Sequence, residues 1–171
     1  MRQPKSGSVA LAGLLGALAL ALSFLEGLLP PLPGMPPGAR LGLSNLATMY
    51  AAGCLGLPWA LAVAVVKAGF GFLTRGLTAG LMSLCGGLVS ASLMWLALTK
   101  TSAGLAVTGV WGALGHNLAQ LGVACVLTSP AALAYGPFLL GYGLLTGLLT
   151  GTTLKLTLPP LQKLSRYLLR R

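Results

Sequence analysis

One carboxylate, Glu26, stands in a chain of 171 residues whose apolar segments repeat from one end to the other. Eleven Lys and Arg give a net charge of +10, which on a soluble protein would suggest nucleic acid as a partner; here only 7% of residues are charged and 56% are hydrophobic. A soluble domain covers its core with about a quarter charged residues. This chain has too few to face water on all sides, and its mean hydropathy of +0.88 fits a protein solvated by lipid. Lipid leaves backbone N–H and C=O groups no external partner, so the spanning structures open to it are helices and closed barrels. The length of the apolar runs selects an all-α, polytopic membrane helix bundle.

The same scarcity of acids excludes several kinds of chemistry. Paired-carboxylate hydrolysis requires two acids held close together. Magnesium and calcium sites built from protein carboxylates fail for the same reason, and one histidine, His116, makes no zinc site. No metal or other cofactor is expected, and no enzyme activity. Cys54, Cys85 and Cys125 are odd in number and lie in apolar runs, where a thiol packs as a small hydrophobe. No glycine run has the form of a nucleotide-binding loop.

A bilayer-spanning helix takes about 20 mainly apolar residues, at about 1.5 Å each across a core of about 30 Å. Six spans are expected: Ser8 to Leu29, Leu41 to Leu57, Trp59 to Leu73, Gly76 to Thr99, Gly104 to Thr128, and Ala132 to Leu158. The last is long enough to tilt, or to be interrupted at Gly136 and Pro137. Pro58 argues against fusing the second and third into one helix. The whole chain reads as one integral membrane domain, with a bundle over 8–158, a Pro-rich outer loop over 30–40 and a basic tail over 159–171. With six spans both termini share a side, and that side collects Arg2, Lys5, Lys100, Lys155, Lys163, Arg166, Arg170 and Arg171. The opposite side holds Arg40 and Arg75. Positive charge stays inside, so both termini are expected in the cytoplasm of a bacterial cell, with membrane lipid as the first partner.

Arg2 and Lys5 before an apolar stretch resemble a signal peptide. The run continues to Leu29, however, and Gly13, Ala17 and Ala21 form a stripe of small residues suited to helix contact in lipid. A retained first helix is expected. Beyond Pro159 and Pro160, the spacing of Leu161, Leu164 and Leu168 with Lys163, Arg166 and Arg170 predicts a short basic amphipathic helix at the inner leaflet, for lipid headgroups or for a cytoplasmic partner.

Polar groups inside hydrocarbon are costly, and they mark where function can sit. His116 and Gln120 share a helix face in the fifth span, with Asn117 adjoining. They form either a binding site or interhelical glue. Lys67 either snorkels outward or faces a polar cavity. Glu26 needs a cation, and Arg40, Lys67 and Arg75 are the candidates for a structural ion pair. Five prolines, Pro30, Pro31, Pro33, Pro36 and Pro37, make the first loop a stiff extended segment, a linker or a lid. Gly143, Gly147 and Gly151, with Gly76 and Gly80, allow close helix packing.

Ser23-Phe24-Leu25-Glu26, the Pro-rich loop, Arg40-Leu41-Gly42-Leu43-Ser44-Asn45-Leu46 and Gly115-His116-Asn117-Leu118-Ala119-Gln120 together resemble the Gx transporter family, from about Leu14 to Thr150. That family also carries the older label heptaprenyl diphosphate synthase component I. The resemblance implies a six-helix protein similar to the substrate-binding S components of energy-coupling factor (ECF) transporters. In these, the first loop closes over an outward-facing site, small residues on the first helix contact a transmembrane coupling subunit, and separate ATPases drive transport. Gly13, Ala17 and Ala21 would be that contact. Asn45, His116, Asn117 and Gln120 would orient a small-molecule ligand, with Arg40 and Lys67 favouring an anionic group. Prenyl elongation uses two Asp-rich motifs, and this chain has no aspartate. A role in isoprenoid synthesis would therefore be that of a non-catalytic membrane partner.

Overall fold

The computed structural model describes residues 6–28 and 42–170, with side chains up to Leu158. The Pro-rich loop, Arg40, Arg2, Lys5 and the tail's side chains lie outside the described residues. The described chain forms six α-helices: α1 (Ser6–Gly27), α2 (Asn45–Cys54), α3 (Leu57–Arg75), α4 (Leu77–Lys100), α5 (Leu105–Leu127) and α6 (Gly136–Arg170), with a 3₁₀ segment at Pro130–Tyr135. Five are long and apolar enough to cross a membrane: α1, α3, α4, α5 and the segment Pro130–Leu158. The all-α bundle stands as expected.

The breaks fall where backbone chemistry puts them. Gly56 and Gly76 adopt φ of 91° and 87°, a left-handed conformation that only glycine reaches at little cost. They separate α2 from α3 and α3 from α4. Pro58 sits in the first turn of α3, where a missing amide N–H is harmless. The expected interruption at Gly136 and Pro137 takes the form of the 3₁₀ segment, after which α6 begins at Gly136. Instead of ending before the paired prolines, α6 runs on for 35 residues to Arg170, about 52 Å at about 1.5 Å per residue.

The second expected span needs correction. α2 has only ten residues, about 15 Å of helix, or half a hydrocarbon core. Its residues Asn45 and Ala47 to Ala52 are all buried, so it meets protein on every side. A helix that is apolar all round can sit inside a bundle as readily as in lipid, and the apolar run alone does not say which. Lys67, ten residues into α3, bonds to Asn45, the first residue of α2. α2 therefore starts near mid-depth and returns to the level where α3 begins.

Close approach of backbones holds the bundle. A Cβ on Gly147 would lie 2.5 Å from Val110 Cα, and one on Gly109 would lie 2.3 Å from the Gly147 carbonyl oxygen. α5 and α6 thus touch along their glycines. Leu11, Leu15 and Ala19 of α1 share a core cluster with Leu154 of α6 and with α2, which places the start of α1 and the later part of α6 at one end. Outward residues such as Leu73 and Val126 are large and apolar. Hydroxyls of Thr74, Ser92, Thr99 and Thr152 donate to carbonyls one turn back, which satisfies them without water. Of the thiols, Cys85 and Cys125 are partly buried as expected for packing residues, whereas Cys54, at the end of α2, is exposed.

Candidate functional site

A polar pocket lies inside the bundle, lined by Ser23 and Glu26 of α1, Gly42 and Ser44 before α2, Lys67 and Arg75 of α3, Ala79 and Ser83 of α4, and His116 and Gln120 of α5. As it stands its cavity measures about 10 Å³, room for about one water molecule. Its floor is at mid-depth, where Lys67 and His116 sit about midway along their helices. From there it extends toward the end where α1 stops and α3 turns into α4. The chain leaves that end at Leu28 and re-enters at Gly42.

Lys67 is 2% exposed, which decides between snorkelling and a cavity. Its Nζ donates to Asn45 Oδ1 at 2.8 Å. That bond fixes the amide's orientation, because an ammonium group requires an acceptor. Asn45 Nδ2 is consequently a buried donor with no acceptor. Glu26 Oε1 accepts the Gly42 N–H at 2.6 Å, a buried link across 16 positions that ties together the two ends of the Pro-rich segment. Lys67 lies within Coulombic reach of both Glu26 and Arg75. The expected grouping of Glu26 with cations is therefore present, with Lys67 and Arg75 in one pocket; Arg40 lies outside the described residues.

Two glycines make room for the histidine. A Cβ on Gly86 would sit 2.7 Å from His116 Nδ1, and one on Gly42 would sit 2.7 Å from Asn45 Nδ2 and 3.3 Å from the His116 ring. His116 Nδ1 packs on the Gly86 backbone without meeting hydrogen-bond geometry. Gly42 also has φ of 85°, so it serves as hinge, hydrogen-bond donor and pocket wall together.

Of the residues expected to form a site, Asn45, Lys67, His116 and Gln120 come together. Asn117 does not line this pocket: one residue's rotation turns it toward α6, where Nδ2 donates to the Leu139 carbonyl at 2.7 Å. It has the geometry of interhelical glue, which was the alternative for this cluster. Sequence reasoning missed Gly42, Ser23, Ser44 and Ser83 as lining residues and read Arg75 as a loop base and a candidate partner of Glu26, not as part of a binding site. A glycine two residues after the basic Arg40 and before Ser44-Asn45 was the available signal for Gly42; the serines gave none. Gly13, Ala17 and Ala21 are exposed on the outer face of α1, with nothing within 4 Å of a Cβ added at Gly13. Among the described residues, no three His, Cys, Asp or Glu gather to hold a metal.

Apolar outward faces, five membrane-length helices and an enclosed polar pocket define a multi-pass membrane protein of the helical-bundle class. The chain belongs to the family described as heptaprenyl diphosphate synthase component I, whose model matches residues 15–157. Comparison with curated proteins and with solved structures gave no match.

Proposed function

We propose that this protein is a membrane-embedded substrate-capture subunit, of the ECF S-component type, that takes a small molecule from the outer side of a bacterial membrane. One observation carries the proposal: Lys67, Glu26, His116 and Gln120, each almost fully buried, converge on one pocket at a depth where polar groups are kept only for a purpose. The Glu26–Gly42 bond ties together the chain on either side of the first loop at the pocket's mouth. Transport energy comes from separate ATPases through a transmembrane coupling subunit, with Gly13, Ala17 and Ala21 as the docking stripe. Asn45 positions Lys67, and Asn117 holds α5 to α6.

The test is mass spectrometry of small molecules retained by gently purified protein. Wild type and Asn117→Ala retain the ligand, whereas His116→Ala and Gln120→Leu lose it. Retention undiminished in both pocket variants would refute the assignment.

The family description favours a second reading, a non-catalytic membrane partner of an isoprenoid enzyme. Copurification separates the two: a coupling subunit with ATPases supports capture, and a prenyl synthase subunit supports partnership.

A further inference from the structure

Among the described residues the pocket holds two cations, Lys67 and Arg75, against one carboxylate, Glu26. Lys67 lies at mid-depth and Arg75 at the end of α3, and an excess positive charge in an enclosed pocket is unfavourable unless something neutralises it. The surroundings add to the imbalance. α2 directs its N-terminal end to the level of Lys67, and that end carries about half a positive charge. Its first two amides are already taken by the Gly42 and Leu43 carbonyls, so the helix contributes field rather than free donors. Unsatisfied donor capacity sits nearby: Asn45 Nδ2 is buried and has no acceptor, and the His116 ring, 2% exposed, forms part of the wall.

From this charge balance we infer that the pocket's ligand is a compact monoanion, of the carboxylate class, whose charged group lies between Lys67 and Arg75 at the head of α2. The inference rests on the capture reading and narrows it. A single negative charge completes the count. A diphosphate, with two or more charges, overshoots it. Ser83 and Gln120 line the wall beside this position.

The test uses the full chain in lipid nanodiscs and follows thermal unfolding with butyrate, its neutral isostere butyramide, and inorganic pyrophosphate. Butyrate raises the midpoint while butyramide and pyrophosphate leave it unchanged. Arg75→Gln, a half-buried position, weakens butyrate binding roughly tenfold or more, as loss of a charged hydrogen bond does, with each shift read against the same variant's ligand-free midpoint. Lys67→Met provides a second variant that keeps the side-chain volume. Equal shifts with butyrate and butyramide, or a larger shift with pyrophosphate, overturn the monoanion inference and leave the capture reading standing. If no probe shifts the midpoint, the charge of the molecule retained on purification decides: a neutral or polyanionic one overturns the inference. No shift and no retained molecule overturns the capture reading as well.

Discussion

At the residue scale, the helical cluster in α5 divides into two jobs that separate experiments can tell apart. Asn117 Nδ2 is bonded to Leu139, so Asn117→Ala should lower stability by about 1 kcal/mol, the usual worth of an interhelical hydrogen bond in a membrane, and leave ligand retention intact. His116→Ala should abolish retention. Unfolding in detergent and mass spectrometry, run on both variants, check the pair. Gly42 is the more exacting position. Gly42→Ala must hold an unfavourable φ, which costs about 1–2 kcal/mol, and its new methyl would press on Asn45 Nδ2 at 2.7 Å, disturbing the partner of Lys67. A lower unfolding midpoint together with weaker binding is expected; an unchanged protein would mean that the Glu26–Gly42 tie does not fix the loop's return. His116, Gln120 and Lys67 were legible in the sequence because polar side chains are rare in apolar runs. The direction of Asn117 was not, since a rotation of about 100° per residue separates pocket from interface and neighbouring helices decide which side is which.

At the element scale, hydropathy located five of the crossings to within a few residues, because a membrane span is set by length and apolarity. It misjudged α2. The run Leu41 to Leu57 is apolar enough for lipid, but Gly42 and the bond from its amide to Glu26 delay the helix to Asn45, and Gly56 ends it. Of the resulting helix, Asn45 and Ala47 to Ala52 are buried among the other helices. A spin label or photoreactive probe at Ala47 or Ala51 of α2, both fully buried, should therefore show little lipid contact, and one at Leu73 or Val126 strong contact. The glycine rows give a second contrast. Gly147→Leu forces α5 and α6 apart at a site where a Cβ already lies 2.5 Å from Val110 Cα, and should destabilise the bundle by about 3 kcal/mol, the upper end for overpacking. Gly13→Leu meets open space on α1. It should leave the fold unaltered while blocking copurification with a coupling subunit, if the small-residue stripe is the docking face.

At the scale of the whole molecule, a half-length α2 settles how five long helices leave the start of α1 and the later part of α6 at one end of the bundle. α1 runs toward the pocket's mouth and the chain re-enters at Gly42. α2 returns from mid-depth, and α3 to α6 then alternate across the full thickness. Under the proposed capture reading, the charge asymmetry of the sequence puts that shared end in the cytoplasm, and the pocket would then open outside. Cys54 offers a native reporter of this orientation: it is the exposed thiol of the three, and it lies where α2 meets α3, at the same end as the start of α1. A membrane-impermeant maleimide applied to intact spheroplasts should leave Cys54 unmodified and should label it after permeabilisation. In a Thr78→Cys variant the introduced thiol, exposed beside the turn between α3 and α4, should react in intact spheroplasts. Labelling of Cys54 from outside, with the thiol of the Thr78→Cys variant protected, would turn the pocket toward the cytoplasm and leave a subunit that captures molecules from outside without a site to do so.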